Sequence, residues 1–179
     1  MTEKEQIKIS KFLSLILRHR PEKIGISLDE NGWVDIDELI QKANANHRKL
    51  DFDVLKIIVQ NNSKKRFTFN KDKTKIRANQ GHSISVDLEF ESKEPPATLF
   101  HGTGEKYVPS IKKEGLVKKN RNHVHLSTNI ETALEVGRRH GKPVIFEVDS
   151  KAMFDDGFDF FLSKNGVWLT DSVPVKYVS

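Results

Sequence analysis

The stretch Glu91-Ser92-Lys93-Glu94-Pro95-Pro96-Ala97 most constrains how this chain can fold. It is polar, holds two adjacent prolines and interrupts the apolar pattern on either side. Proline fixes φ and donates no N–H, so such a segment punctuates structure rather than continuing it. It parts a chain of 179 residues into near-equal halves, a length that suits two small lobes. The lobes are expected at 1–91 and 97–179, with no internal repeat or low-complexity run in either.

The first half has a helical period. Ile9, Phe12, Leu13, Ile16 and Leu17 recur on one face of a helix expected from about Glu5 to His19. Gly32-Trp33-Val34 is extended, and Asp35 with Glu38 three residues on has the form of a capping box for a second helix. Asp51 caps a third, whose inward residues are Val54, Leu55, Ile58 and Val59. Arg66 to Phe69 then alternates as a strand, residues 70–74 turn, and Lys75 to Ala78 returns. Three short helices and a basic hairpin give a winged-helix arrangement.

The second half reads as short strands with two helices. Strands are expected at Thr98–His101, Val124–Ser127, Val144–Val148, Phe160–Leu162, Val167–Leu169 and Val173–Tyr177, and helices at Pro109–Lys113 and Glu131–His140. The fold class is therefore α+β, with mostly antiparallel sheets in the second lobe. Trp33, Trp168, Phe154, Phe158, Phe160 and Phe161 are assigned to the cores.

Charge is unevenly spread. Residues 42–77 carry 11 Lys/Arg against 3 Asp/Glu, whereas residues 1–41 carry 6 against 8. A local excess of eight positive charges suits a polyanion such as nucleic acid, although a solvated lysine-rich surface has the same composition. There is no Cys, which excludes a disulfide framework, a thiol nucleophile and a thiolate metal site. The charged N-terminus is no signal peptide, and no apolar run approaches the roughly 20 residues that span a bilayer. A cytoplasmic protein with no membrane association and no obligate protein partner is expected.

The chemistry-bearing residues fall in a few short blocks. Leu17-Arg18-His19-Arg20-Pro21 ends the first helix, because a residue before proline avoids the helical region. Arginine can grip a phosphate bidentately and histidine can move a proton near neutral pH. Cations at a helix C-terminus are also favoured by the dipole alone. Asn79-Gln80-Gly81-His82-Ser83 could hydrogen-bond a sugar or phosphate, or simply connect elements. Phe100-His101-Gly102-Thr103-Gly104 puts a histidine before a permissive glycine turn, but opens no βαβ unit and so is no dinucleotide fingerprint. In Arg121-Asn122-His123-Val124-His125-Leu126-Ser127, residues two apart share one strand face, which aligns Arg121, His123, His125 and Ser127. A third metal ligand has no source there and the arginine would repel a cation, so no metal is expected.

Taken together, the blocks Ser10–His19, Asn31-Gly32-Trp33-Val34, Arg66-Phe67, Arg77–Ser83, His101-Gly102-Thr103, His123–Ser127 and Asn165–Thr170 resemble the RNA 2′-phosphotransferase family, also called tRNA 2′-phosphotransferase, over nearly the whole chain. The resemblance implies an N-terminal winged-helix RNA lobe and a C-terminal ADP-ribosyltransferase-like lobe that binds NAD⁺. The implied activity removes an internal 2′-phosphate from spliced, tRNA-like RNA through an ADP-ribosylated 2′-phospho-RNA intermediate. It yields 2′-hydroxyl RNA, nicotinamide and ADP-ribose 1″,2″-cyclic phosphate. The family's Arg-His-Arg-Arg tetrad falls on Arg18, His19, Arg66 and Arg121, with Arg77 a rival for the third place. His101, Gly102, Thr103, His123, His125 and Ser127 are the implied NAD⁺-binding residues. His19 would either contact phosphate or transfer a proton. Two alternatives stay open: NAD⁺-dependent ADP-ribosylation of terminal phosphates on RNA or DNA, and a non-enzymatic winged-helix nucleic-acid-binding module.

Overall fold

A computed structural model describes residues 1–179. The chain forms two compact units, Met1–Glu89 and Phe90–Ser179, each with its own apolar core. Both mix helices with antiparallel pairings, as an α+β chain does.

In the first unit, α1 spans Glu3–Arg18. It begins earlier than its apolar stripe suggests because Thr2 and Glu5 form a reciprocal capping box. Leu13, Ile16 and Leu17 are buried, with Ile9 and Phe12 packed partly against the same core. After a 3₁₀ turn at Pro21–Ile24, β1 (Val34–Asp35) leads into α2 (Ile36–Ala45). The Asp35 carboxylate accepts from the Asp37 and Glu38 N–H groups. Asp51 likewise caps α3 (Phe52–Asn61) by accepting from Val54 N–H. β2 (Phe67–Phe69) and β3 (Lys75–Ala78) form the basic hairpin. With β1 they make a three-stranded sheet in the order β1-β3-β2, Val34 opposite Ile76 and Phe67 opposite Ala78.

Trp33 departs from its expected core role. It is only half-buried, and the Arg77 guanidinium lies over its ring, 4.4 Å from the centroid.

The second unit opens with β4 (Thr98–Gly104), followed by α4 (Val108–Glu114), β5 (Leu116–Val117), β6 (Val124–Leu126), α5 (Ile130–Arg138) and β7 (Pro143–Asp149). Then come α6 (Ser150–Asp155), β8 (Phe161–Leu162), β9 (Trp168–Thr170) and β10 (Ser172–Val173). β4 pairs with β7 over its whole length, His101 opposite Phe146, and a bridge between Phe100 and Ser127 joins β4 to β6. β6, β9 and β8 form a second antiparallel group and β10 pairs with β5.

The strand expected over Val173–Tyr177 is cut short. Pro174 removes the next ladder donor, and Val175–Tyr177 is a 3₁₀ turn. Phe160 is fully buried, as assigned, but Phe161 is half-exposed, stacked on Phe90 and edge-on to His123.

Candidate active site

The first unit gathers cations at the end of α1. Arg18 is the last residue of α1 and His19 its C-cap, and the His19 and Arg20 N–H groups both return to the Leu15 carbonyl. Pro21 starts the 3₁₀ turn and fixes the break there. The Arg18 guanidinium lies 5.9 Å from the centroid of the Phe67 ring. Arg66 directly precedes β2, and its carbonyl accepts from Asn79 N–H at 2.8 Å, so the hairpin ladder continues one step to hold it. Its Nη1 donates to Asn62 Oδ1 at 3.3 Å. His19 and Arg66 line one cleft of about 550 Å³ between α1 and the end of α3.

Arg77 is placed otherwise. It is buried, stacked on Trp33, donates to the Asn31 carbonyl at 3.2 Å and pairs with Glu89 at 3.6 Å. These contacts commit it to holding the β3 face of the sheet, whereas Arg66 shares a cleft with His19.

Residues 79–83, which could have been a mere connection, tie this region together. Ser83 N–H donates to the Arg18 carbonyl, and Ser83 Oγ lies 2.9 Å from His19 Nδ1. The Asn79 amide also donates to the Lys65 carbonyl. His82 is 1% exposed with no hydrogen-bond partner at either ring nitrogen. Burial, together with the nearby charges of Arg18, His19 and Arg77, pushes its pKa down to about 4, so its ring is neutral at neutral pH. Sequence alone carries no signal for a histidine held this way. Nor did it single out Asn62, a polar residue close in sequence to the Arg66-Phe67 block, whereas Ser83 lies within a block it did single out.

In the second unit β6 alternates as expected, with Val124 and Leu126 buried and His123, His125 and Ser127 half-buried, but Arg121 does not continue its face: it lies before the strand, in a turn closed by its N–H on the Lys118 carbonyl. Arg121 Nη1 donates to His125 Nδ1 at 3.4 Å, and His101 Nδ1 donates to the His125 carbonyl at 3.1 Å. Arg121, His125 and His101 thus form one connected group. The bond to a carbonyl assigns the proton of neutral His101 to Nδ1, and burial lowers its pKa despite that bond. Burial, and the charge of Arg139, also lower the Arg121 pKa. Burial lowers that of His123, with Lys118 adding and Asp171 opposing.

Ser127 Oγ donates to the Asn129 carbonyl and accepts from Asn129 N–H, which sets up the Asn129 cap of α5. Thr103 is buried. Gly102 has a packing reason to be glycine: a Cβ there would lie 1.6 Å from the Ala133 carbonyl oxygen of α5. No group of three or more His, Asp or Glu residues is placed to hold a metal ion, and no helix is long and apolar enough to cross a membrane.

Comparison with known proteins adds independent findings. Over 178 residues the chain is 58% identical to a Flavobacterium johnsoniae protein named "Probable RNA 2′-phosphotransferase", covering 99% of this chain and 98% of that one. Proteins of the same name from Fusobacterium nucleatum and Trichormus variabilis are 54% and 53% identical, covering 96% and 99% of this chain and 97% and 98% of theirs. The model for the "RNA 2′-phosphotransferase, Tpt1 / KptA family" matches residues 4–172. This chain belongs to that RNA 2′-phosphotransferase family.

Proposed function

We propose that the chain is an NAD⁺-dependent enzyme that removes an internal 2′-phosphate from RNA. We read the first lobe as a winged-helix RNA lobe and the second as an ADP-ribosyltransferase-like NAD⁺ lobe. Family membership supports the reaction class. The observation that carries the site is the cleft where His19 and Arg66 meet, with Arg18 at the same helix end.

A 2′-phosphate monoester is a dianion. Guanidinium groups hold such an anion by charge-assisted, directional hydrogen bonds, and a site organised in advance avoids reorganising during reaction. Ser83 Oγ, 2.9 Å from His19 Nδ1, orients the ring; with the Ser83 hydroxyl as donor, the proton of the neutral ring sits on Nε2. That proton can contact the phosphate or pass to the departing 2′-oxygen. Arg18 and Arg66 clamp the charge that develops on the phosphoryl oxygens.

The residues of the second lobe fit NAD⁺ by their donor set. His101, His123 and His125 supply imidazoles, Ser127 a hydroxyl, and residues 165–170 contribute no carboxylate to repel an anion. When bound, NAD⁺ supplies the ribose that accepts the phosphate and the nicotinamide that leaves. His101, which donates to the His125 carbonyl, and His125, fixed by Arg121, orient that co-substrate. Gly102 and Thr103 contribute by keeping β4 close against α5. No metal is invoked, because the anion is neutralised by arginine.

Incubating a 2′-phosphorylated oligonucleotide with the protein and NAD⁺ tests this. The expected products are 2′-hydroxyl RNA, nicotinamide and ADP-ribose 1″,2″-cyclic phosphate. A persistent ADP-ribose cap would instead mean terminal ADP-ribosylation. Absence of nicotinamide release would mean a nucleic-acid-binding module.

A further inference from the structure

The cleft that holds His19 and Arg66 extends well beyond them. It follows one face of α1, at three- and four-residue steps, from Leu15 and Ser14 past Ser10 and Lys11 to Ile7, and its other wall is the end of α3 at Asn61 and Ser63. From His19 to Ile7 the helix rises about 18 Å. Asn62 closes the groove between the helices, donating to Ser10 Oγ at 3.3 Å while accepting from Arg66. Apart from Glu3 at the far end, the lining bears no acid.

We infer that this groove is the track for the single RNA strand flanking the 2′-phosphate, an inference that rests on the function proposed above. The chemistry fits a strand of ribonucleotides. Lys11 supplies a mobile cation for a backbone phosphate. Ser10, Ser14, Ser63 and Asn61 offer hydroxyl and amide groups of the kind that pair with ribose 2′-hydroxyls and base edges. Ile7, 49% exposed at the outer end, offers an apolar surface on which a base can rest.

The length of the groove suits a short run of nucleotides. A stacked strand rising ~3.4 Å per nucleotide covers the groove in about five residues, and an extended one in fewer. Unpaired nucleotides can turn bases and 2′-hydroxyls onto such a mixed hydroxyl, amide and apolar lining, whereas a duplex keeps its bases stacked inside. The substrate class follows: a 2′-phosphate flanked on one side by unpaired nucleotides.

The test uses the full chain without NAD⁺ and fluorescence anisotropy of labelled, 2′-phosphorylated oligonucleotides. These are lengthened one nucleotide at a time on the 5′ or the 3′ side. Affinity should rise with length on one side only, and annealing a complementary strand over that side should abolish the gain. Lys11→Glu and Ile7→Glu, both at exposed positions, should each remove the gain, so that long RNA binds no better than the shortest. The salt slope for long RNA should fall by about 0.7 in Lys11→Glu, the loss of one single-strand phosphate contact. Lys112→Glu, in the second lobe, should keep the gain. No length dependence, a gain that survives both groove variants, or equal binding of the annealed form would overturn the inference. Turnover of the shortest substrate with NAD⁺ is scored separately: its failure would sink the proposed reaction while leaving the length dependence to decide the groove.

Discussion

His82 makes the pH dependence of stability calculable. Its ring is sealed from solvent, unpartnered at both nitrogens, and flanked by Arg18, His19 and Arg77. Burial first, and those charges second, lower its pKa from 6.5 to about 4. In the unfolded chain the ring titrates near its ordinary value. Below about pH 6.5 the unfolded state therefore gains a proton that the fold refuses. The contribution is fully present above that pH, declines as pH falls, and stops declining once the folded ring protonates near 4. At 1.36 kcal/mol per pH unit, the loss is about 2 kcal/mol between pH 7.5 and 5.0, and roughly 3 kcal/mol in all. His82→Leu removes the titration. It also removes two polar atoms that have no partner, so at pH 7.5 the variant should be about as stable as the wild type. Urea unfolding of both proteins at pH 7.5 and 5.0 measures the difference. The wild type should lose about 2 kcal/mol more than the variant over that interval. Parallel losses in the two proteins, or a His82 ring proton titrating near pH 6.5 in NMR spectra, would show that the reasoning about burial is wrong.

Arg66→Ala should fold normally yet lose about 100- to 1000-fold in turnover, the usual cost of one preorganised charge clamp. Arg77→Ala should instead destabilise by about 1–2 kcal/mol in thermal or chemical unfolding, through loss of its contacts to Trp33 and the Asn31 carbonyl. Near wild-type turnover in Arg66→Ala beside a folded but dead Arg77→Ala would reverse the assignment. Gly102→Ala forces a Cβ into the α5 backbone, and unfolding should register a loss above about 3 kcal/mol or no folded protein. EDTA should leave turnover unchanged, since His125 Nδ1 is engaged by Arg121; inhibition that one divalent ion rescues would contradict this.

The longer helices and the hairpin were legible because each carries its own signal. α1 to α3 show apolar residues at helical spacing and acidic or hydroxyl caps, and Arg66 to Ala78 alternates around a polar turn. Shorter elements were not. α6 has only six residues, too few for a period, although its Asp149 cap was visible in retrospect. The 3₁₀ turn at Val175–Tyr177 is made of β-favouring residues, and only Pro174 betrays the break. At the candidate site, residue types were readable but commitments were not. Arg66 and Arg77 are alike in sequence, both beside matched blocks, and only burial and partners separate them. Gly102 reads as a turn glycine until the carbonyl of Ala133 is seen against it. His82 looks like one more polar residue in a connection, because burial is a property of the assembled fold.

The lacing of residues 79–83 onto Arg18, His19 and Arg66 bears on how activity appears during folding. The bond between His19 and Ser83 closes a sequence separation of 64 residues, and the Asn79 to Arg66 bond depends on the hairpin register. Contacts this non-local are reached only after a large loop entropy has been overcome, so they form with the bulk of the fold rather than ahead of it. A chain with α1 formed but the hairpin undocked has the right residues in no useful arrangement. Recovered phosphate removal after dilution from urea should therefore rise in step with the tertiary signal of the first lobe, with no early, partly competent phase.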